Sequence, residues 1–152
     1  MSVERIYVDA VDIALDHESV QIAAQRMHDH KVGCLVVVDD EHHPIGIVTD
    51  RDLMVRVLAR GADPMQTVVR QVMTSPALTV NKETPIETAI TLMRAGACRR
   101  LAVVGEDSRL CGMVSLDDVM RLIAEECEEI GYLLTKESPA SLARGDRLFG
   151  TL

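Results

Sequence analysis

The chain has 152 residues, enough for one ordinary domain or for two small ones that share a core. Hydrophobic residues make up 47% and aromatic residues 2%, so aliphatic side chains and eight methionines must fill the interior. The formal net charge of −8 weighs against a nucleic-acid-binding protein, because phosphates require a basic surface.

Cysteine usage and the apolar pattern bear on where the protein works. No two of the four cysteines form a Cys-x-x-Cys pair, which favours free thiols in a reducing cytosol over disulfides. The N-terminus does not resemble a signal peptide, and no apolar run approaches the roughly 20 residues that span a bilayer. We therefore expect a cytoplasmic protein that binds neither membranes nor nucleic acid.

The first half of the chain predicts one strand, a helix, two strands and a second helix. A partly apolar stretch at residues 11–15 suits a strand, and apolar residues recur at helical spacing after Ser19. The valine-rich run at 34–38 is typical of a strand buried on both faces. A strand is expected at 45–48 and a helix from 50 to about 60, with Leu53, Val57 and Leu58 facing inward.

The second half repeats this order. Strands are predicted at 78–80, 101–104 and 111–114, with a helix opened by Pro85 between the first two. A longer final helix is expected from near Leu116 to about Leu134, with the acidic run at 125–129 on a solvated face. We expect the tail at 136–152 to be mobile or to dock on a partner subunit.

The two halves are related by a repeat of 66 residues. Gly46-Ile47-Val48-Thr49-Asp50-Arg51-Asp52-Leu53 returns as Gly112-Met113-Val114-Ser115-Leu116-Asp117-Asp118-Val119. The register holds without a gap from about Val3/Val69 to Leu58/Ala124. Only two copies of this length predict two halves of one compact body, since a solenoid needs at least three units.

The repeated segment places a hydroxyl residue and an aspartate where a strand ends and a helix begins. A carboxylate in that position can accept the two hydroxyls of a ribose, and helix N-termini attract anions. Thr49 or Ser115 could bond a phosphate. Arg51 and the pair Arg99-Arg100 are candidates for a phosphate clamp, because guanidinium groups bind phosphate well.

Each of these features also has a purely structural explanation. A Ser or Thr followed three residues later by an acid resembles a helix capping box, which needs no ligand. The arginines could equally form surface salt bridges. His28, His30, His42 and His43 complete no metal-ligand spacing, and no Ser/His/Asp set, P-loop or Gly-x-Gly-x-x-Gly occurs. We therefore predict no catalytic and no metal-binding residue.

The repeated order of elements, with residues 72–76 leading into the second copy, closely resembles the cystathionine-β-synthase (CBS) domain family. The resemblance covers residues 3 to 125. It is carried by residues 32–39 and 46–53 in the first repeat and by 99–104 and 112–119 in the second.

This resemblance implies an α/β (α+β) fold in which two β-α-β-β-α repeats pack with pseudo-twofold symmetry, followed by a long C-terminal helix. We place the first repeat at 1–62, the second at 63–135 and the tail at 136–152. CBS pairs usually associate as dimers, and their clefts bind AMP, ADP or ATP, sometimes NAD, S-adenosylmethionine or cyclic dinucleotides. No covalent cofactor is expected.

By position, the resemblance implies that the hydroxyl–aspartate pairs hold ribose and phosphate, while neighbouring strand residues flank the base largely through backbone groups. The predicted ligand-binding residues are Ile13, Ala14, Cys34, Leu35, Ile47, Thr49, Arg51, Asp52, Thr79, Val80, Arg99, Arg100, Leu101, Met113, Ser115 and Asp118. The first repeat has Gly33-Cys34 where the second has Arg99-Arg100, and Asp117 stands where the first repeat has Arg51. We therefore expect the two clefts to differ in occupancy.

The sequence thus predicts a non-enzymatic regulatory module that senses adenine nucleotides as a homodimer and passes their occupancy to an unknown protein target. The alternative is a ligand-free protein-interaction or scaffold module in which the Thr/Ser-x-x-Asp motifs only cap helices.

Overall fold

The computed structural model describes residues 1–137, and most of the predicted tail lies outside the described residues. Residues 1–116 form one compact unit, and a second unit begins at Asp117. In chain order the strands and helices are β1 (Ile13–Leu15), α1 (Val20–His30), β2 (Cys34–Val38), β3 (Pro44–Thr49), α2 (Asp50–Arg56), β4 (Thr79–Asn81), α3 (Ile86–Ala95), β5 (Arg100–Val104), β6 (Leu110–Ser115) and α4 (Leu116–Glu137). No helix in the described part of the chain is both long and apolar enough to cross a membrane.

Each repeat contributes one three-stranded sheet to the first unit. The orders are β1-β2-β3 and β4-β5-β6, with the first pair of strands parallel and the second antiparallel in each sheet. Even the irregularity recurs, because the register shifts between Val37 and Val38 in one sheet and between Val103 and Val104 in the other. The predicted α/β class and the duplicated plan are confirmed.

The two sheets pack against each other through the faces that their helices do not cover. Val36 and Val38 of β2 join Ala102 of β5 in one buried cluster. The alternate residues Leu35 and Val37 point the other way, into a cluster with side chains of α1. Every residue of β2 is therefore buried, as the continuous apolar run predicts.

The segment that enters each repeat crosses to the other repeat. Val8 exchanges two backbone hydrogen bonds of 2.9 Å with Met113, and Thr74 exchanges two of 2.8 and 3.0 Å with Ile47. Val3 is fully buried in the core of the second repeat, while Val69, its counterpart 66 residues later, is fully buried in the core of the first. The predicted boundary between residues 62 and 63 stays a prediction, and these contacts cross it.

The second helix is shorter than expected. The α-helix ends at Arg56, and Leu58–Arg60 continue as a 3-10 turn. This change of helical pitch takes Leu58 out of the inward-facing register, and it is 77% exposed. The prediction that Leu58 faces inward is wrong, whereas Val57 is buried as expected.

The crossed segments predict a steric requirement for glycine at the strand that receives them. A Cβ at Gly112 would clash with the backbone oxygen of Val8 and would lie 2.6 Å from the Tyr7 ring. We expect Gly112→Ala to destabilise the protein by about 1–3 kcal/mol and to lower its melting temperature by roughly 3–10 °C, measured by circular dichroism.

Gly131 in α4 is the matched control, because a Cβ built there meets nothing within 4 Å in the described part of the chain beyond its chain neighbours and its own helix backbone. Gly131→Ala should leave the melting temperature unchanged or raise it, since alanine is the better helix former. Equal melting temperatures for Gly112→Ala and the unaltered protein would show that the entering segment yields without cost.

Candidate functional site

A cavity of about 530 Å³ lies in the first unit, lined by both repeats. The first repeat contributes the end of β3 and the first turn of α2. The second contributes the segment that leads into β4 and the turn between α3 and β5. The lining residues are Ile47, Thr49, Asp52, Thr74, Ser75, Pro76, Ala77, Leu78, Gly96, Ala97, Cys98, Arg99 and Arg100. This volume lies within the range of small-molecule sites.

On the first-repeat side, Thr49 and Asp52 form a complete capping box. The Thr49 hydroxyl accepts the Asp52 backbone N–H at 3.1 Å and donates to Asp52 Oδ2 at 2.7 Å. The same Oδ2 accepts the Thr49 backbone N–H at 2.9 Å. The structural explanation of this motif is therefore realised, and the Thr49 hydroxyl proton is already in use.

The other carboxylate oxygen of Asp52, Oδ1, takes no part in the capping box. It lies 3.3 Å from Nη2 of Arg56, and the Asp52 side chain is 15% exposed. A carboxylate oxygen has two lone-pair sites, so Oδ1 keeps acceptor capacity beyond this ion pair. Because α2 has only seven residues, we assign no anion-binding role to its N-terminus.

On the second-repeat side, the cavity is lined by two consecutive arginines, Arg99 and Arg100. Arg100 begins β5 and is half-buried, while Arg99 is exposed. No ion pair or side-chain hydrogen bond of Arg100 occurs within residues 1–137. A half-buried guanidinium that forms no ion pair in the described chain makes this wall of the cavity attractive to anions.

The matching position in the first repeat carries a thiol. Burial raises the pKa of Cys34, and the nearby positive charge of Arg100 opposes this only in part. The side chain is therefore neutral at physiological pH. The two repeats therefore place a neutral thiol and a cation at equivalent strand positions, as the sequence indicated.

The predicted site residues fall into three groups. Five line the cavity: Ile47, Thr49, Asp52, Arg99 and Arg100. Nine other strand residues are absent from its lining, and five of them have side chains in the core, namely Ala14, Cys34, Leu35, Val80 and Leu101. The other four strand residues are Ile13, Thr79, Met113 and Ser115.

The remaining two predicted residues are helical. Arg51 is exposed on α2. Asp118 belongs to the second unit, where it is buried and accepts a hydrogen bond from Arg121 at 3.1 Å. The roles assigned to these residues and to the strand residues stay predictions.

Sequence reasoning missed a large part of the second-repeat wall. Thr74, Ala77, Leu78, Gly96 and Cys98 line the cavity but were not predicted to do so. The available signal was the segment at 72–76, which precedes the second repeat's first strand. Its approach to Ile47 depends on long-range backbone pairing that no local pattern encodes.

Comparison with known proteins adds the family. The CBS domain model matches the chain twice, over residues 4–59 and 69–125. Hypoxic response protein 1 of Mycobacterium tuberculosis is 31% identical over 128 residues, which are 84% of this chain and 88% of that protein. Uncharacterized protein MK0525 of Methanopyrus kandleri is 33% identical over 99 residues, 65% of this chain, and the match spans 50% of that longer protein.

Solved structures agree with the fold. Hypoxic Response Protein I, solved with two coordinated zinc ions, matches with a TM-score of 0.72 and 28% identity over 80% of this chain and 98% of that one. Within residues 1–137 of this chain, no group of three or more His, Cys, Asp or Glu side chains is placed to hold a metal ion.

A second structure is the CBS domain pair of protein MJ0100 in complex with 5′-methylthioadenosine and S-adenosyl-L-methionine. It matches with a TM-score of 0.71 and 24% identity over 81% of this chain and 99% of that one, a likeness of fold. The twofold family match, together with the duplicated sheets and crossed segments, shows that this chain belongs to the CBS domain family and carries a pair of CBS repeats.

Proposed function

We propose that this CBS pair is a non-enzymatic regulatory module whose 530 Å³ cleft binds an adenosine-containing ligand. The observation that carries the proposal is the pairing of groups around one cavity. The first repeat supplies the Asp52 carboxylate, and the second supplies Arg100, whose guanidinium forms no ion pair within residues 1–137. A ligand with sugar hydroxyls and a phosphate would complement both.

Hydrogen-bond capacity assigns the roles within the cleft. Ribose hydroxyls would donate to the remaining lone pair of Asp52 Oδ1, as carboxylates do in dinucleotide folds. The phosphate belongs with Arg100, because the Thr49 hydroxyl already donates its proton to Asp52. Ile47, Ala77 and Leu78 supply apolar surface for the base.

The ligand class follows from these charges. AMP, ADP or ATP would use both Asp52 and Arg100, and NAD would do the same. S-adenosylmethionine would offer its ribose to Asp52, but it carries one carboxylate in place of a phosphate and a net positive charge, which Arg100 disfavours. We therefore rank phosphate-bearing adenosine ligands first for this cleft.

Regulation would arise from a shift in population between arrangements of the two repeats. A ligand that contacts both repeats favours the arrangement in which both contacts are made, by no more than its difference in affinity for the two states. We propose that a homodimer of the module passes this shift to a protein target.

A specific observation favours a second candidate function. The Thr49–Asp52 capping box is complete without any ligand, as expected for a module that only binds other proteins. A flat response to all nucleotides, with the purified protein shown to carry none already, would favour this candidate. Melting temperatures measured with AMP, ADP, ATP, NAD, S-adenosylmethionine and GMP distinguish the two functions. A ligand at about 100 times its dissociation constant adds about 2.7 kcal/mol to the free energy of unfolding.

The phosphate role of Arg100 predicts a selective loss of affinity. We expect Arg100→Gln to weaken AMP binding by roughly tenfold, because a charge-assisted hydrogen bond is lost. Adenosine binding should change less than about twofold, since adenosine has no phosphate. Isothermal titration calorimetry measures both constants.

Arg94→Gln is the matched control, because Arg94 is an exposed residue of α3 that does not line the cavity. It should bind AMP as the unaltered protein does. Equal losses for AMP and adenosine in Arg100→Gln would contradict a phosphate role for this residue.

If Asp52 binds the ribose, its substitution should weaken the binding of AMP and of adenosine alike. Asp52→Asn keeps a side-chain oxygen that can accept the Thr49 backbone N–H, so the cap is largely preserved. We expect AMP and adenosine to bind roughly tenfold more weakly, measured by calorimetry. Unchanged affinity for both ligands, together with a lowered melting temperature, would identify Asp52 as a helix cap alone.

A further inference from the structure

Arg56 connects the carboxylate of the cleft to the crossed segment that forms the cleft's other side. Its Nη1 donates to the backbone oxygens of Val72 and Met73 at 2.6 and 2.9 Å. Its Nη2 donates to Thr74 Oγ1 at 3.2 Å and lies 3.3 Å from Asp52 Oδ1. One side chain thus bonds to three consecutive residues of the second repeat's entering segment and to the first repeat's aspartate.

Two of the residues that Arg56 contacts belong to the wall of the cavity. Asp52 and Thr74 both line the cavity, while Arg56 does not. Thr74 also pairs through its backbone with Ile47, a further cavity residue. A movement of the entering segment would therefore move the guanidinium of Arg56. The guanidinium in turn contacts Asp52 Oδ1, the oxygen that still has acceptor capacity.

The second repeat carries a different residue at the position of Arg56. Leu122 stands there, so the sequence does not repeat the arginine. Asp118, the counterpart of Asp52, instead accepts a hydrogen bond from Arg121, three residues later on its own helix. An arginine needed merely to cap a duplicated motif would be expected in both copies.

From this geometry we infer that Arg56 is a positioning residue, which orients Asp52 toward a ligand's ribose and couples occupancy of the cleft to the docking of residues 72–74. The inference rests on the proposed function and deepens it by naming the route of regulation. Ribose recognition strengthens when the segment is docked. By linkage, a bound ribose holds the segment in place to the same degree.

The test compares AMP with 2′,3′-dideoxy-AMP, which lacks the hydroxyls that Asp52 would bind. The ratio of their dissociation constants reports ribose recognition alone. We expect Arg56→Met to reduce this ratio by roughly tenfold while leaving the affinity for the dideoxy nucleotide within about twofold. A general loss of structure would weaken both nucleotides equally, so the ratio separates positioning from folding.

Hydrogen exchange reports the coupling directly. AMP should slow exchange of the Ile47 and Thr74 amides in the unaltered protein, and this effect should be absent in Arg56→Met. In the ligand-free protein, Arg56→Met should speed exchange at these amides, because three hydrogen bonds to the segment are lost.

Two further variants serve as controls. Arg56→Lys keeps a cation that can reach Asp52 or a carbonyl, so it should fold and retain part of the selectivity. Arg60→Met removes an exposed arginine of the neighbouring 3-10 turn and should leave selectivity and exchange unchanged.

The possible results distinguish failure of the positioning role of Arg56 from failure of the proposed ligand-binding function. If the unaltered protein distinguishes the two nucleotides and Arg56→Met does so equally well, the positioning role is overturned while the proposed function stands. If the unaltered protein binds neither these two nucleotides nor any adenosine compound of the panel, the proposed function fails and the ribose role fails with it. Unchanged exchange in ligand-free Arg56→Met would then overturn the link to residues 72–74 as well.

Discussion

The structure of the first unit depends on a reciprocal crossing of backbone segments. Each repeat's entering segment pairs with the last strand of the other repeat, Val8 with Met113 and Thr74 with Ile47. The pairing needs close approach of two backbones, which Gly112 permits because it has no side chain in the way. The crossing also completes both cores and carries residues 74–78 to the cleft.

On this shared frame the chemistry of the two repeats diverges through side chains alone. The frame places Arg100 and Cys34 at equivalent strand positions, one a permanent cation and the other a neutral buried thiol. Likewise Arg56 and Leu122 occupy matching positions. Because the backbone is unaffected by such exchanges, a duplicated fold can keep its stability while one copy acquires a ligand site.

The Thr49–Asp52 motif shows how structure and ligand binding can share a residue. The capping box uses Oδ2 of Asp52, while Oδ1 lies beside Arg56 with acceptor capacity remaining. Helix capping therefore leaves this carboxylate able to accept a further hydrogen bond, whereas the single proton of the Thr49 hydroxyl is bonded to Asp52 Oδ2 in this structure. The ribose role of Asp52 and the phosphate role of Thr49 both stay predictions, and a phosphate that accepts from Thr49 would replace Asp52 Oδ2 as the partner of its hydroxyl.

The sequence by itself determined the strands, the helices and their duplication, because hydrophobic periodicity and a 66-residue register are local or linear properties. It also indicated Thr49, Asp52, Arg99 and Arg100 as site residues, and these line one cavity. Only the tertiary structure decided that the entering segments cross, that Thr74, Leu78 and Gly96 complete the cleft, and that Arg56 joins its two sides. The 3-10 turn that exposes Leu58 belongs to the same class. These features arise from hydrogen bonds between residues far apart in the chain or from a change in helical pitch, and neither leaves a periodic trace in the sequence.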